Sequence, residues 1–312
     1  MDKLNELLKR GVSRRKFLAG VGTSVGAAAA IGAVGCGGQP SHVPTPTPVP
    51  TPPGVTYTDT DILNFALNLE YLEAEFYLRA ATGTGLTAAD IGANPGAVTG
   101  GTQVTFATPA IKAYALEIAA NELAHVRLLR SALGPAAVDR PAIDLSGSFN
   151  AAAMAAGIGP AFNPFADENS FIVGAFTFED VGVTAYHGAS ISLQSKTILG
   201  TAAGILAVEA YHAAEIRTIL NYLGAPYLTY ANQIAALRAT ASGGSATNLS
   251  GGFETAVSPT TIVAADPKTS IAYGRTTDQV LHIVYLSATP GVVSKGGFFP
   301  NGLNGKITAT AS

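Results

Sequence analysis

The chain has 312 residues, enough for one large domain or two small ones with a real core. It is 47% apolar and only 12% charged, with a net charge of −3, so it lacks the basic field that nucleic acid would require of a partner. With charges this scarce, any carboxylate on an apolar helix face demands an explanation.

The N-terminus is the basic part. Residues 1–35 hold six of the 18 Lys and Arg and two of the 21 acids, so the remainder has 12 bases against 19 acids, a net of −7. Ser13-Arg14-Arg15-Lys16-Phe17-Leu18 leads into a weakly apolar run from Ala19 to Gly35. A basic flank before an apolar segment is the layout of an export signal, and the paired arginines resemble a bacterial twin-arginine signal. The run is rich in Gly and Ala and has no basic stop after it, which suits a signal better than a permanent membrane helix.

Cys36, the only cysteine, follows in Ala33-Val34-Gly35-Cys36, which resembles a lipoprotein processing site. The expected product begins at a lipidated Cys36 and is held at the membrane by that anchor alone, facing the periplasm or the cell exterior. A signal cut slightly later would leave an ordinary thiol instead. Residues 36–54 then read as a tether, because runs such as Pro44-Thr45-Pro46-Thr47-Pro48 are stiff and extended and cannot form a core.

Residues 55–225 carry four amphipathic helices. The first begins at Thr58 or Asp59 and runs to about Ala80, with Leu63, Ala66, Leu67, Glu70, Glu73, Ala74 and Tyr77 on its apolar stripe. The second, Pro109 to Leu133, places Glu122 and His125 in line with Ile111, Ile118, Val126 and Leu129. The third is expected from Asp167 to about Leu199, with Glu179 and Tyr186 on the stripe of Ile172, Phe176 and Val183. The fourth, from about Thr201 to Leu223, aligns Glu209 and His212 with Ile205, Ala213, Ile216 and Leu220.

A single Glu on a helix is ordinarily solvated, and a single core His is ordinarily just hydrogen-bonded. The combination is not ordinary. The composition predicts by chance only about 0.2 Glu-x-x-His pairs, and the chain has two, each on the inner face of a separate helix. The order is Glu, Glu-x-x-His, Glu, Glu-x-x-His, a duplicated two-helix unit. Spacing of i to i+3 sets both side chains on one side of a helix. Glu70, Glu122, His125, Glu179, Glu209 and His212 are therefore the candidate ligands of two metal ions, with Glu73 an alternative or additional ligand to Glu70. Four carboxylates and two imidazoles favour iron or manganese. Glu75 and Glu117 read as solvent-facing, and His187 and Glu215 as neighbours of the site or surface contacts.

Beyond the bundle, residues 226–312 form an extension expected to contain short helices at Tyr227–Ala239 and Thr277–Tyr285, the latter with a structural His282. Another short helix is expected around Phe149–Ala156.

The stretch Asp61-Ile62-Leu63-Asn64-Phe65-Ala66-Leu67-Asn68-Leu69-Glu70-Tyr71-Leu72-Glu73, then Glu75-Phe76-Tyr77 and Gly296-Gly297-Phe298-Phe299-Pro300-Asn301-Gly302, resembles the ferritin-like superfamily. The likeness is to the ferritin-like domain of bacterial secreted, plant desiccation-related and fungal stress-response proteins, over roughly residues 55 to 305. It implies an all-α, ferritin-like four-helix bundle. It also implies that Tyr77 and Tyr186, each seven residues after a helix Glu, hydrogen-bond across the metal site. Three activities follow from the resemblance: ferrous oxidation, peroxide reduction and catalase-like disproportionation, with hydrogen peroxide or dioxygen as the small oxidant. A non-catalytic stress-protective or surface interaction protein on the same scaffold is the rival expectation, and a storage cage a weaker third. A homodimer is compatible with either.

Overall fold

The computed structural model describes residues 56–287 and 291–311. The signal, Cys36 and the tether lie outside these residues. Among the described residues no helix is long and apolar enough to cross a membrane.

Helix α1 (Asp59–Thr82) starts on a capping box: Thr58 Oγ1 accepts from the Asp61 amide, and the Asp61 carboxylate accepts from the Thr58 amide at 3.0 Å. It stops at Gly83, whose φ of +83° is a left-handed conformation that glycine adopts without penalty. Helix α2 (Pro109–Leu133) opens with proline, and the two amides just before it are held from a distance. Glu168 accepts from the amides of Ala107 and Thr108, each at 2.8 Å. After α3 (Gly147–Ala155) come α4 (Glu168–Phe176), α5 (Glu179–Ser190) and the long α6 (Lys196–Leu223). Helices α7 (Tyr227–Ala241) and α8 (Thr277–Val284) belong to the extension. A two-residue parallel ladder pairs β1 (Val98–Thr99) with β2 (Ile143–Asp144). The architecture is all-α and ferritin-like: α1 packs on α2, α5 packs on α6, and α4 continues the third position of the bundle.

The third helix differs from the single span expected from Asp167 to Leu199. It breaks at Thr177 and Phe178, and the hydrogen bonding shows why. The Arg238 guanidinium donates to the carbonyls of Phe176 and Thr177, while the Val181 and Gly182 amides both turn to the Phe178 carbonyl. The break thus keeps its backbone groups satisfied. The helix then ends at Ser190, and α6 begins five residues before Thr201, because Ser195 caps it and the Asp59 carboxylate holds the amides of Gln194 and Ser195 at 2.8 and 2.9 Å.

Two buried networks join the extension and connections to the bundle. Arg217, Arg238 and Arg275 are each at most 2% exposed. Arg217 and Arg238 meet Asp180 at 2.8 and 2.9 Å, and Arg238 and Arg275 meet Glu254 at 2.8 and 2.7 Å. The Gly-Gly-Phe-Phe segment drives Phe298 against Phe149 and Phe178. A side chain at Gly297, where φ is +47°, would lie 2.6 Å from the Val284 carbonyl, so this close approach requires glycine.

Glu75 corrects the sequence reading. It is fully buried, ion-paired with Arg140 and, at 2.8 Å, with Arg79. Helix α1 is covered on nearly every face, and the connections on that side supply Arg140. Removing one partner of a buried pair strands the other's charge. Glu75→Gln is expected to lower stability by about 3 kcal/mol, measured by urea unfolding with the slope of the transition unchanged.

Candidate metal centre

The six predicted side chains converge in the middle of the bundle. Each helix delivers its acid there because the acid replaces an apolar residue on an inward stripe. Glu70, Glu122, His125 and Glu209 form one group, and Glu122, Glu179 and His212 a second, with one donor atom per residue lying within 4.8 Å of the others in its group. Glu122 belongs to both. Its Oε1 is 3.1 Å from His212 Nδ1 and its Oε2 is 3.5 Å from His125 Nδ1. Around His125 Nδ1 stand Glu70 Oε2 at 3.3 Å and Glu209 Oε1 at 3.4 Å, and Glu179 Oε2 is 3.5 Å from His212 Nδ1. The imidazole centroids are 6.4 Å apart.

Two tyrosines clamp the outer carboxylate oxygens across the bundle. Tyr77 donates to Glu179 and Tyr186 to Glu70, so each half of the duplicated unit orients the acid of the other. The Asn121 amide is 3.1 Å from His212 Nε2, fixing the ring from behind.

Glu73 stands outside both groups. It is buried beside Glu209 and contributes no donor atom to either cluster, which leaves Glu70 as the α1 member. His187, Glu215 and His282 are also outside them; His282 Nδ1 pairs with the Ser287 carbonyl at 2.8 Å. Glu117 is exposed, as expected. Asn121 and Gly182 were not foreseen. A Cβ at Gly182 would lie 2.4 Å from Glu209 Oε2, so the glycine makes room for the carboxylate within helix α5, against a helix penalty of about 0.5–1 kcal/mol relative to alanine. Its spacing, three residues after Glu179, was the available signal.

The test of fit to a cation is what these atoms bond to. Glu70 Oε2, both Glu122 oxygens, Glu179 Oε2, both Glu209 oxygens and the Nδ1 atoms of His125 and His212 are buried without a hydrogen-bond partner. Buried polar groups are almost always satisfied, and unpaired carboxylates cost several kcal/mol each. Eight such atoms facing one another from four bundle positions fit metal ions, and the hard oxygen and borderline nitrogen set suits a carboxylate-bridged site.

Protons show the same imbalance. Burial pushes the Glu70 carboxyl up to about 7 against the opposing charge of His125. Burial and the surrounding acids hold Glu73 and Glu209 well above the carboxylate range. Burial also opposes ionisation of Glu122, yet the neighbouring His125 and His212 bring it down to about 2. His212 is raised to about 11, since Glu179 and Glu122 outweigh its burial, and His125 is raised further for the same kind of reason.

A bundle with this duplicated ligand pattern is ferritin-like, and the chain belongs to that family: the ferritin-like domain model matches residues 58–222. Among characterised relatives, the chain is 32% identical over 298 residues to the ferritin-like catalase Nec2 of Nesocodon mauritianus, covering 87% of this chain and 91% of that protein. It is 35% identical over 168 residues to the desiccation-related protein PCC13-62 of Craterostigma plantagineum, covering 52% of this chain and 53% of that one.

Ligand carboxyls and imidazoles must shed their protons to bind metal, so affinity rises with pH. Metal binding is expected to release protons at pH 7, and affinity to fall about tenfold per pH unit for each proton displaced as the solution is acidified below 7. Titration of the metal-free protein in weakly buffered solution at several pH values reads both.

Proposed function

We propose that this protein is an exported dinuclear iron or manganese protein that reacts with hydrogen peroxide or dioxygen in oxidative or desiccation stress. The observation that carries the reading is Glu122, whose two oxygens face two separate groups of unpaired donors. When bound, iron or manganese supplies one-electron redox chemistry toward these oxidants. The protein's part is to hold the ions and keep them dry. Glu70, His125 and Glu209 would serve one ion, Glu179 and His212 the other, and Glu122 both. Tyr77 and Tyr186 fix the outer oxygens of Glu179 and Glu70, so the carboxylates keep their positions as the charge at the centre changes. Membership in a family that includes a protein named a catalase supports peroxide as the oxidant.

Metal analysis of protein purified from its native compartment, combined with peroxide and oxygen consumption, tests this reading. Two iron or manganese ions per chain are expected, and Glu122→Ala should abolish activity by at least about 100-fold and deplete both ions. Glu73→Gln should retain both. A native protein without metal, or a loaded one inert to both oxidants, would leave a protective scaffold as the better account, a reading favoured by the likeness to the desiccation-related protein.

Export follows the twin-arginine-like Ser13-Arg14-Arg15-Lys16-Phe17-Leu18, with a membrane anchor at Cys36. Replacing both Arg14 and Arg15 by Lys is expected to retain the chain in the cytoplasm, and Cys36→Ser to move it from the membrane to the soluble exported fraction, both read by cell fractionation. Normal membrane recovery of both variants would contradict the proposal.

A further inference from the structure

Behind Glu73 the interior is not filled. A cavity of about 20 Å³ is lined by Leu69, Leu72, Phe178, Val181, Ile283 and Glu73, with Gly182 also on its wall. That volume admits about one water-sized molecule. A second cavity of about 80 Å³ adjoins it, sharing Thr177, Ile283 and Phe298 as walls. Its far side is formed by Ala155, Leu237 and Leu286, which are exposed or half-buried, so the pair runs from the protein surface inward.

The inner end is polar. Glu73 is only 5% exposed and makes no hydrogen bond or ion pair among the described residues, yet it lines the cavity. At Gly182 the absent side chain leaves Glu209 Oε2 and Glu73 Oε1 at 2.4 and 3.4 Å from where a Cβ would stand. Gly182 thus lies on the cavity wall and against a proposed metal ligand. The walls are mostly apolar, with Arg238 and His282 on the outer cavity, and such a passage admits small uncharged molecules more readily than ions, whose dehydration is costly.

We propose that these two cavities are the entry path by which a small uncharged oxidant reaches the metal centre, and that Glu73 is the polar group that receives it at the inner end. The identity of the traveller rests on the peroxide and dioxygen reading above; the passage itself rests on the cavities. It also gives Glu73 a place: a positioning residue set between the opening and Glu209.

Two substitutions narrow the path without touching a ligand. Ile283→Phe fills the wall common to both cavities, and Ala155→Trp covers the outer mouth from an exposed position at the end of α3, where the fold has little to lose. Both are expected to lower kcat/KM for hydrogen peroxide about tenfold with kcat at saturation, metal content and the metal absorption spectrum unchanged, as a loss of access rather than of chemistry requires. Crystals pressurised with dioxygen should show the gas in both cavities of the natural protein and not in the inner cavity of I283F. Unchanged kcat/KM in both variants, with the inner cavity of I283F closed to dioxygen, would overturn the passage. If the natural protein is inert to peroxide, the functional reading fails and dioxygen occupancy alone judges the path: an inner cavity that takes none overturns it, and one that fills in the natural protein but not in I283F supports it.

Discussion

The structure is organised around a desolvated cluster of acids. Four carboxylates are brought together with two imidazoles where water does not reach, and repulsion among the acids would drive them apart. Each is rigidly supplied by a helix, so the repulsion cannot be relieved by a loop swinging outward. What can relieve it is positive charge at the centre, as protons or as metal. Glu122 is the pivot, because it alone faces both imidazoles. The tyrosine clamps run between the two halves of the duplicated unit, so neither half of the site is complete without the other.

Around that centre several of the remaining charges are buried in pairs. Three arginines and two acids knit α5, α6, α7 and the extension together, and Glu75 with Arg140 does the same on the opposite side of α1. Such pairs add little net stability compared with apolar packing, but they penalise any arrangement that separates them. In a protein rich in Ala and Gly, where close helix packing is otherwise permissive, they specify which faces meet. Arg238 carries this furthest, since it also lies 4.4 Å from the centre of the Phe176 ring and satisfies the carbonyls freed by the helix break.

The bundle and the convergence of its acids and histidines were legible in the sequence because both are local signals: a period of 3.6, and an acid or histidine placed within it. Glu70 and Glu73 could not be separated that way, as both fall on the inner stripe and only the helix's setting against α2 and α6 brings Glu70 to His125. The break at Thr177 and Phe178 was invisible for a related reason. Its cause is an arginine 61 residues downstream of Thr177. Glu75 looked like a surface acid because its partner Arg140 lies 65 residues away, in a connection that has no periodicity. Asn121 and Gly182 sit beside the ligands with ordinary neighbours, and their roles appear only when the helices are assembled.

The pairing of Asn68 with Asn304 has a consequence for the order in which the molecule is made. Asn68 sits on α1, two residues before Glu70, and exchanges two hydrogen bonds of 2.9 Å with a residue 236 positions later. Phe298 likewise completes an aromatic cluster begun by Phe149 and Phe178. Contacts so distant in sequence form late, because the loop between them must close first. A chain emerging from the ribosome can therefore assemble its helices early but cannot seal α1 until Phe298 and Asn304 have been added. The centre stays reachable until then.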